Sequence, residues 1–291
     1  PAYLNWVVLS QFMIVLSAYL LFKTNLHPKL KHYIFPVVAG LILFRPVFIT
    51  LVNGQLSGLL LLVCVLVIYL WEKEKWWQGC AILPLLALKP NVSIPILALI
   101  ALWLLFQRKS RLFLWIGLSA IALLVIGMLR DPNWVAEYLA IGNSKLSQTF
   151  GYSPTIWGLT AYLSGFKRAL TLILGGLGAL LILSGCLFLL RRKHNGQRPA
   201  FVFSVVIVTT LLITPYTWTY DQLLLVIPIL VIMLEMLNRS YPFLLSATLF
   251  LLIDVVTIFL LVISARIELE VLNAIVPLIC YGLLFLFVHG R

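Results

Sequence analysis

Lys89 is the residue of this sequence best suited to do chemistry, because it lies between two short apolar runs and is followed by Pro90. The proline frees backbone groups, and a charge among apolar residues is costly. In a cavity, its ammonium group would suit a phosphate, since it is a mobile point charge. The alternative is a lysine that extends from a helix end to a membrane interface.

Four polar insertions interrupt the apolar runs of the chain. They are Asn53-Gly54-Gln55, Lys89-Pro90-Asn91, Gly151-Tyr152-Ser153-Pro154 and the segment Thr214 to Asp221. Polar, non-helical backbone persists at membrane depth only where it lines a cavity or is buried in protein. We therefore expect the four insertions to converge on one site.

The first and last insertions carry side chains that suit a sugar. Asn53 and Gln55 offer amide donors and acceptors for hydroxyl groups, whereas Tyr216, Trp218 and Asp221 combine aromatic faces with a carboxylate. A polar turn between two spans, or an aromatic belt at the membrane interface, would have the same composition. Both alternatives stay open from the sequence.

Two further charges, Arg45 before Pro46 and Asp254, interrupt apolar runs. A charge at this depth is expensive, so each is expected either to serve a site or to pair within the protein. Arg45 could reach a lipid-linked phosphate. Asp254 has no motif around it, and we expect it to pair inside the helical bundle.

No metal or cofactor site is predicted, although a divalent metal is not ruled out by the sequence. The histidines are scattered over basic loops and the C-terminus, and the cysteines lie inside apolar runs without C-x-x-C spacing. These residues are His27, His32, His194, His289, Cys64, Cys80, Cys186 and Cys280.

The elements that position these residues are transmembrane helices. The chain has 291 residues, 63% of them hydrophobic and 10% charged, with a mean hydropathy of +1.09, which excludes a soluble domain. The apolar runs are too long for an outer-membrane barrel. The net charge of +12 does not indicate nucleic-acid binding, because the basic residues cluster between apolar runs as in a multispan membrane protein.

The apolar runs predict an all-α polytopic transmembrane bundle of about eleven membrane segments. We expect residues 1–291 to form a single transmembrane domain. The expected spans are Ala2 to Phe22, Tyr33 to Val52, Gln55 to Trp71, Gln78 to Leu88, Val92 to Phe106, Leu112 to Leu129, Ala169 to Leu190, Ala200 to Thr214, Gln222 to Leu237, Pro242 to Ile263 and Val271 to Val288.

The orientation follows from the basic clusters, which belong on the cytoplasmic side. This assignment sends all four polar insertions to the opposite side and makes residues 130–168 an outer loop. It also puts Pro1 outside, without a preceding signal. We therefore expect a first span and a first outer loop to precede Pro1.

Several of these motifs resemble glycosyltransferase family 87, whose members have the C-type multispan fold. The resemblance covers nearly the whole chain. It rests on Asn53-Gly54-Gln55, Gly79, Leu88-Lys89-Pro90, Tyr152-Ser153-Pro154 and Thr214-Pro215-Tyr216-Thr217-Trp218. The sequence departs from the family pattern in the late motif, where Tyr220 and Asp221 stand in place of a frequent histidine.

The resemblance implies transfer of a hexose, typically mannose, from a polyprenyl-phosphate donor to a lipid-linked glycan or glycolipid. The reaction would invert the configuration at the transferred sugar carbon. It would take place on the non-cytoplasmic face of a bacterial plasma membrane. Lys89 would then contact the donor phosphate, and Gln55 with Asn53 would orient donor or acceptor. Tyr152, Trp218 and Asp221 would line the sugar cavity.

The resemblance also implies a carboxylate in the first outer loop that accepts the proton of the attacking hydroxyl. By the predicted topology, that loop precedes Pro1, so the catalytic residue is not assigned within this sequence. The main alternative function is a multispan transporter or lipid flippase, since these also bind substrates at broken helices. A non-catalytic membrane scaffold is a second alternative, but it gives the outward polar motifs no reason to converge.

Overall fold

The computed structural model describes residues 2–24, 37, 40, 41, 43–191 and 198–289. All regular structure in these residues is helical, which confirms the all-α prediction. Of the scattered histidines, His27, His32 and His194 lie outside the described residues. The α-helices are α1 (Ala2–Lys23), α2 (Arg45–Val52), α3 (Ser57–Glu72), α4 (Trp76–Ile82), α5 (Pro90–Phe106), α6 (Phe113–Arg130), α7 (Trp134–Thr149), α8 (Ile156–Leu163), α9 (Arg168–Arg191), α10 (Pro199–Ile213), α11 (Val226–Asn238), α12 (Phe243–Ile267) and α13 (Ile275–His289).

Five helices in the described part of the chain are long and apolar enough to cross a membrane. The fold therefore has the character of a multi-pass membrane protein. Two of the five include a short 3-10 helix that leads into an α-helix. The five are Ala2–Lys23, Ser110–Arg130, Arg168–Arg191, Thr219–Asn238 and Phe243–Ile267.

The prediction of about eleven membrane segments is therefore wrong. It counted every apolar run as a span, whereas several runs form helices of only 10–17 residues. About 20 helical residues are needed to cross the hydrocarbon core of a bilayer. In the run expected from Tyr33 to Val52, the described residues include the 8-residue helix α2. The shorter apolar helices are Ser57–Glu72, Trp76–Leu88, Pro90–Phe106, Pro199–Ile213 and Val271–Leu286.

A break at Lys89 separates two of these short helices. Helix α4 continues into the 3-10 helix Leu83–Leu88, and α5 begins at Pro90. Lys89 itself has φ −134° and ψ 76°, outside helical geometry. Pro90 fits the first position of α5, because its missing N–H would have no partner inside the helix there. The apolar pattern predicts this division into two short segments.

Helices α10 and α11 form the centre of the bundle, and nearly all of their residues are buried. Both are hydrophobic on every side, which is typical of helices surrounded by protein. Helix α10 packs against α3, α5, α9, α11 and α13. By contrast, α6 has no buried residue and presents a lipid-compatible surface. The site described below lies where α10 ends and the 3-10 helix Thr219–Leu225 begins.

Residues 130–168, expected as an outer loop, contain the helices α7 and α8. This region is tied to the central bundle by Trp157, whose indole N–H donates to the carbonyl oxygen of Ile213 over 2.7 Å. Ile213 is the last residue of α10, so the contact holds the region beside the polar segment that begins at Thr214.

Candidate functional site

Lys89 lies in the helix break with its ammonium group held by three neighbouring groups. Its Nζ forms an ion pair with a carboxylate oxygen of Asp221 and donates to the Oγ of Ser57 over 3.3 Å. It also lies 4.3 Å from the centre of the Tyr220 ring, within range of a cation–π interaction. The side chain keeps 13% of its surface exposed. Lys89 is thus fixed in position and still reachable from outside.

Asp221 is fully buried and carries the negative charge of this site. It lies in the first turn of the 3-10 helix Thr219–Leu225, where its Oδ2 accepts the backbone N–H of Trp218 over 3.1 Å. Its Oδ1 accepts from Lys89 and from the hydroxyl of Ser57, the latter at 3.2 Å. A buried carboxylate needs such partners, because an unpaired charge in the interior is strongly destabilising.

Ser57 also belongs to the site, although the sequence did not single it out. It is the first residue of α3 and is fully buried. Its hydroxyl donates to Asp221 and accepts from Lys89, so it bridges the two charges. The available signal was its position two residues after Gln55, at the end of a polar insertion.

Asn91 and Tyr216 join the second and fourth polar insertions next to this ion pair. The Nδ2 of Asn91 donates to the backbone carbonyl of Tyr216 over 3.1 Å. The Tyr216 ring in turn packs edge-on against Trp218, with 6.0 Å between ring centres. The structure therefore brings these two insertions together, and it adds Ser57 from the residues just after the first.

A cavity of about 460 Å³ opens beside Asn91 and Tyr216. Its walls are largely apolar. The hydroxyl of Thr214, a lining residue, is buried and has no hydrogen-bond partner among the described residues. The cavity is lined by Pro90, Asn91, Ile94, Pro95, Tyr138, Ile141, Gly142, Thr214, Pro215 and Tyr216.

Helix α7 supplies one wall of the cavity through Tyr138, a residue that the sequence did not single out. Partial burial, together with the nearby Tyr216, raises the pKa of Tyr138 above its ordinary value. Its phenol can donate a hydrogen bond to a molecule in the cavity, as any tyrosine can at neutral pH.

Asn53 and Gln55 form the turn between α2 and α3. The Gln55 side chain donates to the carbonyl oxygen of Asn53 over 3.1 Å, and Asn53 is exposed. The turn continues directly into Ser57 of the ion-pair site. The two side chains are thus available at the edge of the site, without a hydrogen bond to Lys89 or Asp221 in the described contacts.

The third insertion lies apart from the ion pair in the described contacts. Tyr152 is 46% exposed and stacks on Phe166, with 5.3 Å between ring centres. Ser153 is fully buried, and its hydroxyl approaches the Thr149 carbonyl at 3.5 Å. The structure brings this insertion towards the end of α10 through Trp157 rather than to Lys89 itself.

Arg45 is buried at the start of α2. Its Nη1 donates to the side-chain oxygen of Asn273 over 2.8 Å and to the Thr257 carbonyl over 3.3 Å. Asp254, one helical turn before Thr257, is also buried, and its Oδ1 has no partner among the described residues. The expected pairing of Asp254 therefore stays a prediction.

The described residues contain no group of three or more histidine, cysteine or acidic side chains arranged to hold a metal ion. Cys64, Cys80, Cys186 and Cys280 are all buried and unbridged. The chemistry of the described site is that of one ammonium group, one carboxylate, hydroxyls, amides and aromatic rings. This set can bind a phosphate and a sugar by charge, hydrogen bonding and stacking.

The model of glycosyltransferase family 87 matches residues 1–215 of this chain. The matched part includes Lys89, Ser57 and Asn91, and it ends just before Tyr216, so Asp221 lies beyond it. No curated protein and no solved structure matches the chain.

Proposed function

Because the chain belongs to glycosyltransferase family 87, we propose that it transfers a hexose, mannose in the first instance, from a polyprenyl-phosphate donor. The acceptor in this proposal is a lipid-linked glycan or glycolipid. The reaction takes place on the non-cytoplasmic face of a bacterial plasma membrane. The helices long enough to cross a membrane support a donor and an acceptor that reside in the bilayer.

The observation that carries the proposal is the placement of Lys89. It is a cation in a break between helices, paired with Asp221 and still 13% exposed. An ammonium group has three N–H donors, and Asp221 and Ser57 engage two of them. The third N–H, which no oxygen among the described contacts accepts, can donate to a phosphate oxygen of the sugar donor.

In the proposed reaction, the bond between the sugar carbon and the phosphate oxygen breaks while the acceptor hydroxyl oxygen attacks from the opposite face. The leaving polyprenyl phosphate gains negative charge as this bond breaks, and Lys89 stabilises that charge. A fixed cation contributes most to the rate when it stabilises charge that develops in the transition state. A single displacement of this kind inverts the configuration at the sugar carbon that was bonded to the phosphate.

The proton of the attacking hydroxyl passes in this proposal to a carboxylate that acts as general base. No residue among the described ones is assigned to this role.

The sugar lies, in this proposal, among Asn91, Tyr216 and Trp218, with Asn53 and Gln55 at the edge of the site. The aromatic faces stack on the sugar ring and the amides bind its hydroxyls. Tyr152 and Ser153 stay predicted substrate contacts, although Ser153 is fully buried and neither residue lines the cavity beside Asn91. The apolar walls of the neighbouring cavity fit the hydrocarbon part of a lipid-linked substrate, which begins beside the phosphate.

Transfer activity tests the proposal directly. Membranes that contain the full-length protein are incubated with radiolabelled polyprenyl-phosphate mannose, and lipid and glycan fractions are assayed for the label. We expect label in a glycolipid or lipid-linked glycan, and none in membranes lacking the protein. A panel of polyprenyl-phosphate hexoses then identifies the preferred sugar.

The same preparation discriminates against the transporter or flippase alternative. Proteoliposomes loaded with the labelled lipid show whether it moves between leaflets. Substrate-dependent flux without transfer from any hexose donor would overturn the enzyme proposal.

A further inference from the structure

Glu270 holds the start of the helix that presents Asp221 to Lys89. Its Oε2 accepts two hydrogen bonds from a single residue, the backbone N–H of Thr219 at 3.1 Å and the hydroxyl of Thr219 at 2.6 Å. Thr219 is buried and opens the 3-10 helix Thr219–Leu225. A short 3-10 helix has weak internal hydrogen bonds, so its direction depends on contacts of this kind.

A second contact holds the same helix just after Asp221. The side-chain amide of Gln222 donates to the backbone carbonyl of Asn273 over 2.8 Å. Thr50 of α2 adds a third contact, because its hydroxyl donates to the carbonyl oxygen of Tyr220 over 3.2 Å. Asp221 is therefore flanked on both sides by residues whose positions are set from outside the helix.

The segment that carries Glu270 and Asn273 is itself fixed. The Nδ2 of Asn273 donates to the Glu270 carbonyl at 3.0 Å and to the Ser264 hydroxyl at 3.2 Å. Its side-chain oxygen accepts from Arg45 at 2.8 Å. Arg45 also lies close enough to Glu270 for their opposite charges to attract. Glu270 is thus one end of a rigid support that begins at a buried cation.

We propose that Glu270 is a positioning residue, which sets the place of Asp221 and, through it, the direction of the Lys89 ammonium group. This inference rests on the proposed role of Lys89 as the donor-phosphate contact. Glu270 itself touches no substrate. Glu270 and Asn273 lie outside the part of the chain that matches the family, whereas Arg45 and Thr50 lie within it.

The first test is the kinetics of Glu270→Ala in the full-length protein. Loss of the carboxylate frees Thr219 and lets Asp221 shift, so Lys89 binds the donor phosphate less well. We expect the KM for the polyprenyl-phosphate donor to rise about tenfold and kcat to fall as well, because Lys89 contacts the phosphate of the bound donor and also stabilises its charge as it leaves. Glu270→Gln keeps an oxygen that can accept from Thr219, and its KM should stay within about threefold of the wild-type value.

Glu268→Ala is the matched control, because Glu268 is an exposed carboxylate two residues earlier in the same segment. Its donor KM should equal that of the wild type. Equal donor KM values for Glu270→Ala and wild type would overturn the inference, as would a Glu268→Ala effect as large as that of Glu270→Ala.

A double-variant experiment separates positioning from a general loss of stability. If Glu270 acts through Asp221, then Glu270→Ala should change the donor KM by less than about twofold in the Asp221→Asn background. If instead the change in donor KM of the double variant equals the product of the changes in the two single variants, then Glu270 acts independently of Asp221. That result would overturn the inference.

A donor-independent measurement keeps this inference separate from the proposed reaction. The rate at which an amine-reactive reagent labels Lys89 is measured by mass spectrometry in the wild type, Glu270→Ala and Glu268→Ala. A loosened ion pair should make Lys89 react several-fold faster in Glu270→Ala alone. If the wild type transfers no sugar, the proposed transfer reaction is refuted. The labelling result still decides whether Glu270 positions Asp221 and Lys89. Equal labelling in all three proteins would overturn it.

Discussion

Lys89 and Arg45 are both cations enclosed by apolar helices, yet their surroundings differ in kind. Lys89 is paired with the carboxylate of Asp221 and keeps part of its side chain exposed. Arg45 is buried, and its Nη1 is bonded to neutral oxygens of Thr257 and Asn273. The first cation can be shared with an incoming anion, whereas the second is committed to holding helices together.

The side-chain chemistry of the two residues explains this division. The ammonium group of lysine is a compact charge whose three donors can be directed to different partners by rotation. The guanidinium group of arginine is planar, so its donors point in fixed directions and suit fixed acceptors. A cation that must release one partner and accept another is therefore better supplied by lysine.

The largest expected effect is that of Lys89→Ala on transfer. Loss of the phosphate contact should lower kcat/KM by about 100-fold or more, as removal of one transition-state donor does in other enzymes. Membrane insertion should be unchanged. The measurement is transfer from labelled donor in membranes with equal amounts of protein. The control is Lys73→Ala, at an exposed lysine after α3. Unchanged turnover in Lys89→Ala would mean that Lys89 has no role in transfer and only extends to the membrane interface.

Asp221→Asn should have the next largest effect. The substitution keeps the shape of the side chain and removes the charge that orients Lys89, so kcat/KM should fall about 10-fold to 100-fold. Transfer assays on the full-length variant measure the fall, with protein amount and insertion as controls. Wild-type kinetics in this variant would mean that the ion pair serves only to stabilise the fold.

Arg45→Gln should sharpen the contrast, because its main effect is expected on stability. The two lost hydrogen bonds should lower the free energy of unfolding by about 1–3 kcal/mol. Thermal unfolding in detergent measures this loss, and transfer at low temperature should fall less than in Asp221→Asn. The opposite order, with transfer abolished and stability retained, would assign Arg45 to the donor phosphate instead.

Ser57→Ala should have the smallest effect. Asp221 keeps its bonds to Lys89 and to the Trp218 N–H, so the lost hydroxyl should lower kcat/KM only by about fivefold, the equivalent of one hydrogen bond. Ser246→Ala is a suitable control, since this buried hydroxyl has no hydrogen-bond partner among the described residues. A Ser57→Ala effect as large as that of Asp221→Asn would make Ser57 a direct substrate contact.

That Lys89 needs a compensating partner or cavity could be predicted from the sequence, but the identity of that partner could not. An isolated lysine in an apolar run needs compensation wherever it lies, so the residue type and its neighbours suffice to single it out. Asp221 lies 132 residues further along the chain, and a single sequence carries no distance between them. Ser57 was missed for the same reason, because its position two residues after Gln55 does not by itself distinguish a bridging hydroxyl from a small packing residue.

The membrane segments illustrate an opposite error, in which a local pattern was given too much weight. Hydropathy identifies which segments are apolar, but an apolar helix can either cross a bilayer or end inside a bundle. The run Val92 to Phe106 forms the 17-residue helix α5, which begins at Pro90 and has seven buried residues. Its length and its burial in the bundle were decided by the break at Lys89 and by neighbouring helices.

The sequence by itself determined the all-α membrane character, the break at Lys89-Pro90 and the polar residue types at the site. Each of these follows from composition or from near neighbours in the chain. Only the tertiary structure decided that Lys89 meets Asp221 and Ser57 and that Arg45 lies apart with Asn273. The physical reason is that charges and hydrogen bonds act over a few ångströms of space, and that separation arises only when distant segments pack.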